Sequence, residues 1–162
     1  MSHTLQGEAC IKDLDALADA AKALGGELVK DKKTFAWYGS FIDDSPIPDG
    51  MFSPAETHRL RVGSREERQA AMNANFNKCA HVIKFKGASY EVGVVKKEDG
   101  SMRLRWDWYG PGGLIQKLGD RNAGLLLQRY NLNVARKAAL KRGYRPVEVK
   151  KPDGSIDLVL VK

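Results

Sequence analysis

Residues 80–109, AHVIKFKGASYEVGVVKKEDGSMRLRWDWY, decide the fold. Three runs rich in β-branched and aromatic residues (80–86, 90–97 and 102–109) are separated by Gly87-Ala88-Ser89 and by Glu98-Asp99-Gly100-Ser101. Connectors of that chemistry close antiparallel hairpins, because Asp and Gly adopt the backbone angles a tight turn needs. The stretch predicts an antiparallel meander. Along its last strand, Met102, Leu104, Trp106 and Trp108 alternate with Arg103, Arg105, Asp107 and Tyr109. Alternate residues point to opposite faces, so the first set is expected in the core. The second set, extended by Lys84 and Lys86 on a preceding strand, is expected to form a basic, aromatic face open to solvent.

Downstream, Gly110-Pro111-Gly112-Gly113 reads as a hinge and Leu114, Ile115 and Leu118 as a short apolar turn. Asp120 is the expected N-cap of a long helix running to about Arg142, where Lys141, Arg142 and Gly143 form a suitable terminus. Its apolar stripe is Leu127, Tyr130, Val134 and Ala138, while Arg129, Asn133, Arg136 and Lys137 share another face. A final hairpin joins residues 146–150 to 156–161 through Pro152-Asp153-Gly154-Ser155, and residues 150–155 echo residues 96–101.

Upstream, residues 3–9 suggest a short strand, and Ile11, Leu14, Leu17, Ala21 and Leu24 recur at helical spacing until Gly25 and Gly26 stop the helix. Residues 27–30 and 34–38 read as a hairpin. Residues 40–57 hold three of the six prolines without a sustained period and read as a long irregular loop. Ser64 and Glu67 form a capping-box pattern that opens a helix from about Arg65 to Asn77. The expected fold is α+β: an antiparallel sheet of hairpins on about two main helices, as one domain over residues 1–162.

The 162 residues include 27 Lys or Arg against 20 Asp or Glu, 43% hydrophobic residues and only 2 Cys. That composition, with no apolar stretch as long as a membrane-spanning helix, argues against a disordered chain and a membrane protein. Cys10 and Cys79 lie too far apart in sequence for a zinc or redox motif, the N-terminus has no signal-like region, and a cytoplasmic location is expected. Charge is divided unevenly. Residues 1–56 carry 5 cations and 10 acids, whereas residues 57–162 carry 22 cations and 10 acids.

From Cys79 onward the sequence resembles the chloroplast hypothetical reading frame thirty-five family, a small domain with plastid, cyanobacterial, bacterial and phage members. The likeness rests on Ala80-His81-Val82-Ile83, Tyr90-Glu91-Val92-Gly93-Val94, Gln128-Arg129-Tyr130, Lys141-Arg142-Gly143-Tyr144 and residues 153–160. The start of the chain resembles the family more weakly, and residues 40–78 depart from it as a loop-plus-helix insertion. The resemblance implies an α+β domain and a non-secreted protein. It supplies no catalytic residues.

These observations point to a non-enzymatic protein that binds RNA or single-stranded DNA, since guanidinium groups meet phosphates and aromatic rings stack on bases. The expected contacts are Arg103, Arg105, Tyr109, Arg129, Arg136 and Lys137, with Lys84 and Lys86 alongside, on one continuous surface. A second reading is an interaction module whose bipolar charge serves an acidic protein partner or self-association. A third places acid–base or metal chemistry on Asp43, Asp44, Asp49, Glu56 and His58; turn formation explains the same residues, and no cofactor or metal is expected.

Overall fold

A computed structural model of the chain describes residues 4–7, 9–41 and 46–162. In chain order the elements are β1 (Thr4–Gln6), α1 (Leu14–Ala23), β2 (Gly26–Val29), α2 (Pro54–Val62), α3 (Arg65–Asn75), β3 (His81–Phe85), β4 (Val92–Lys96) and β5 (Met102–Asp107). There follow α4 (Ile115–Leu118), α5 (Gly124–Lys141), β6 (Arg145–Lys150) and β7 (Ile156–Val161). The protein is α+β: an antiparallel sheet in the order β1-β5-β4-β3-β2, with β6 and β7 as a separate two-stranded sheet.

The meander forms as its turns and alternation predict. Ile83, Val92, Val94, Leu104 and Trp106 turn one face of the sheet toward α1 and α5, and this face is fully buried. Helix α1 starts at Asp13, whose carboxylate accepts the Ala16 N–H at 2.9 Å. Its buried face, Ala16, Leu17, Ala20 and Ala21, is mostly small residues, which lets the helix lie close. The two turns that echo each other share one geometry. Gly100 and Gly154 sit at φ +83° and +84°, and Asp99 and Asp153 each accept a hydrogen bond from the N–H of the serine two residues on.

The triplet Gln128-Arg129-Tyr130 is a three-way clamp. Gln128 donates to the Gly154 carbonyl, Arg129 pairs with Glu148 on β6, and the buried Tyr130 hydroxyl accepts the backbone N–H groups of Lys12 and Asp13. Tyr130→Phe removes the acceptor from two backbone donors at the entry to α1 without altering the ring. A loss of about 1–3 kcal/mol in chemical denaturation is expected; an unchanged midpoint would mean that water takes the place of the hydroxyl.

Three expectations are corrected. The residues after β2 do not fold back on it: β2 pairs with β3, and Thr34 forms an isolated bridge with Lys78. Residues 40–57 are not all loop, because Ser53 and Glu56 form a capping box and Pro54 occupies the first turn of α2. Helix α5 is capped by Ala123, not Asp120, whose carboxylate accepts the Asn122 and Gly124 N–H groups just before it.

The second face of the sheet is covered by the segment between β2 and β3. Phe35, Phe41, Ile47, Leu60, Met72 and Phe76 pack over Val82 as a separate apolar cluster. Phe76 lies at its centre, with ring centroids 5.4 Å from Phe35, 4.6 Å from Trp37 and 5.2 Å from Phe41. Gly93 admits Phe35, whose ring carbons would lie 2.3 and 2.5 Å from a Cβ at that position.

Candidate anion-binding cleft

That covering layer changes the meaning of the basic strand face. Arg105 is 2% exposed. Its Nε and Nη2 donate to Gln6 Oε1 at 3.1 and 2.8 Å, its Nη1 donates to the Phe76 carbonyl at 3.2 Å, and its guanidinium lies 5.8 Å from the centre of the Phe76 ring. Every one of these partners is neutral. Burial and the adjacent Arg103 push its pKa down to about 10, which leaves it charged at neutral pH. A buried cation held, among the described residues, only by neutral acceptors is an incomplete electrostatic arrangement.

Arg105 borders a cleft of about 660 Å3 between α2, the loop before it and the β4–β5 hairpin. This volume lies in the range of roughly 300–1,000 Å3 occupied by small ligands. One wall is a single face of α2, with Pro54, Thr57, His58 and Arg61 at positions i, i+3, i+4 and i+7. The opposite wall brings Lys97 from the hairpin turn and Arg103 from β5. Arg103 donates through Nη1 to the Asp49 carbonyl at 2.6 Å, and Gln6 Nε2 reaches the same carbonyl at 2.9 Å. The Asp49 backbone therefore fixes the guanidinium and leaves its other donors for the cleft.

Five Lys or Arg residues line the space against Asp49, Glu98 and Asp99. Asp99 is engaged within its own turn, where the Ser101 hydroxyl and N–H hold its carboxyl below the usual range. Phe52 and Val95 add apolar surface. The combination suits an oxyanion joined to an apolar or ring-shaped group.

The expected contact residues do not form one surface. Arg105 is buried, and Asp107 beside it is buried as an acceptor for the Tyr38 and Tyr109 N–H groups. Tyr109 lies at that far end of β5, edge-on to Tyr38 at 5.7 Å. Arg129, Arg136 and Lys137 belong to α5, which packs on the opposite face of the sheet from Arg103 and Arg105. These helix charges are also matched by distant acids. Glu148 pairs with Arg129 at 3.1 Å and Arg136 at 2.9 Å, and Asp13 pairs with Lys137 at 2.9 Å. Burial works to raise the Glu148 carboxyl, but hydrogen bonds from both arginines outweigh it and hold the pKa below the usual glutamate value. Lys84 shares Glu91 with Lys32, and Lys86 is exposed beyond β3.

Asp43 and Asp44 lie outside the described residues. The Glu56 carboxylate accepts the Ser53 N–H in the capping box that opens α2, and His58 faces the cleft. Among the described residues, no three His, Cys, Asp or Glu side chains gather as metal ligands would. Reading the sequence missed Arg61, Lys97 and Phe52; the signal available for Arg61 was the Ser53-Pro54-Ala55-Glu56 helix start, which places residues 54, 57, 58 and 61 on one face. No described helix is long and apolar enough to cross a membrane. No protein-family model, curated protein or solved structure matches the chain.

Proposed function

We propose that the protein binds single-stranded nucleic acid, RNA or DNA, without catalysing a reaction on it, and that the backbone phosphates lie in the cleft between α2 and the β4–β5 hairpin. The observation that carries the reading is Arg105: a buried guanidinium bordering the cleft, with Arg103 beside it and, among the described residues, no carboxylate in contact. A phosphate would supply the missing charge. The surplus of cations in residues 57–162 supports a polyanion over a small acid, and Phe52 offers apolar surface to a base or sugar. A cleft of this size takes a stretch of one strand, whereas a stiff duplex would rest on its rim. The free thiols of Cys10 and Cys79 fit a reducing cytoplasm as the setting. Membership of the chloroplast hypothetical reading frame thirty-five family stands beside this as a proposal; the Gln128-Arg129-Tyr130 clamp is one element of the resemblance to which the fold gives a structural use.

Fluorescence anisotropy with short single-stranded RNA, single-stranded DNA and duplex DNA over a salt series tests the reading. Single strands are expected to bind more tightly than duplex, with log K falling linearly against log salt by about 0.7 per phosphate neutralised. Arg61→Ala combined with Arg103→Ala should weaken binding and reduce that slope by about 1.4, equivalent to two phosphate contacts. Arg136→Ala, on the far side of the sheet, should leave both unchanged. Absence of binding at low salt, or equal losses from the cleft and helix variants, would overturn the assignment.

A further inference from the structure

A guanidinium carries five N–H donors, and Arg105 spends three of them on protein groups. Nε and Nη2 meet Gln6 Oε1, and Nη1 meets the Phe76 carbonyl. One N–H on Nη1 and one on Nη2 remain, on a side chain that is 2% exposed and borders the cleft. The residue opposite Arg105 on β1 is Gln6, a neutral amide where a glutamate of the same shape would have neutralised the cation. Gln6 Nε2 donates to the Asp49 carbonyl, which leaves Oε1 as the atom turned to Arg105, and the same carbonyl holds Arg103. Both guanidinium groups are thus fixed through neutral partners. Among the described residues, neither meets a carboxylate.

The remaining donors are met by a group that enters the cleft, and this favours one kind of phosphate. A phosphate inside a strand is esterified on both sides, so it approaches a recessed guanidinium only by bringing a nucleoside on each side. A phosphate at a strand end brings a single nucleoside and leads with three unesterified oxygens, enough for both remaining donors and Arg103. It also carries about 1.5–2 negative charges at neutral pH, against about one for an internal diester. The cleft is lined by five Lys or Arg and three carboxylates, a surplus of two positive charges. Phe52 and Val95 give the terminal sugar or base an apolar wall.

We infer that the cleft receives the phosphorylated end of a single strand, with the terminal phosphate on Arg105 and Arg103 and the next internal phosphate toward Arg61 and Lys97. The inference rests on the proposed function and narrows it from continuous strand to strand ends. A nucleoside monophosphate presents the same terminal group without a strand behind it. Arg61 and Lys97, on the walls of the cleft, are the cations that a longer chain engages in addition.

Anisotropy with a short single strand, labelled at one end and bearing either a phosphate or a hydroxyl at the other, is the test. The phosphorylated strand should bind at least about tenfold more tightly, with the phosphate on the 5′ end, the 3′ end or both. A hydroxyl-ended strand one nucleotide longer adds an internal phosphate alone and should gain less than about threefold. A nucleoside monophosphate should bind at least about tenfold more weakly than the phosphorylated strand. Gln6→Glu keeps the side-chain shape and sets a carboxylate on Arg105, so the end preference should fall below about twofold while the hydroxyl-ended strand binds within about threefold of before. In the unaltered protein, the Arg105 Nε–H resonance should shift on adding the phosphorylated strand and stay in place with the hydroxyl-ended one. Equal binding of the two ends, or an equal gain from the longer strand, would overturn this inference and leave the proposed function standing; no binding of either strand would overturn both. An end preference that survives Gln6→Glu, or a nucleoside monophosphate that binds as tightly as the strand, would also overturn the inference.

Discussion

Phe76→Ala is expected to cost about 3–5 kcal/mol, a large share of the roughly 5–15 kcal/mol that holds a domain folded. The ring is completely buried and is the common neighbour of Phe35, Trp37 and Phe41. Truncation loses its transfer free energy and leaves a cavity that three aromatic rings cannot collapse to fill. It also uncovers Arg105, whose guanidinium the ring shields. Urea denaturation reads the stability, and anisotropy on single strands should show weaker binding because Arg105 and the cleft wall lose their support. A cost below about 1 kcal/mol would mean that the second apolar cluster is loosely held.

Gly93→Ala should cost about 3 kcal/mol, at the upper end of overpacking effects. The Cβ would enter the Phe35 ring, with two ring carbons inside 2.6 Å, and Phe35 is itself enclosed by its cluster. Relief requires either the sheet or the whole covering layer to move. The same geometry makes the two substitutions interdependent. With Phe76 cut back to Ala, Phe35 gains room to withdraw, so the double variant should be more stable than the sum of the single losses predicts, by about 0.5–3 kcal/mol in a double-mutant cycle. Strict additivity would show that Phe35 does not shift.

The meander was legible because both of its signals are local: period-two alternation and Asp-Gly turns. What covered its second face was not, because alternation separates two faces without saying whether the second meets water or another layer. One hint was present. Val82 next to Ile83, and residues 92–95 as Val-Gly-Val-Val, are apolar at successive positions, the pattern of strands buried on both faces. Helix α2 was hidden by Pro46 and Pro48 before it and Pro54 at its start, although Pro54 at the first turn is favourable there. The helix charges misled for another reason. Their counter-ions, Glu148 and Asp13, lie far along the chain, and no inspection of i, i+4 spacing reveals a neutralisation made by tertiary structure.

The strand order also dictates when the sheet can be completed. Strands β3, β4 and β5 are consecutive in the chain, so their pairing closes only short loops. Thr4 must find Asp107, and Val29 must find Val82 across the entire layer that contains α2 and α3. Closing those long loops costs entropy before any contact compensates for it. The central meander is thus the natural nucleus, and the two outer strands are the last to join and the first to detach. An amide-exchange experiment should find the slowest exchange at Val94 and Leu104 and the fastest strand exchange at the margins of the sheet. On a ribosome, β1 would leave the exit tunnel long before β5 existed to receive it, and would spend that interval unpaired.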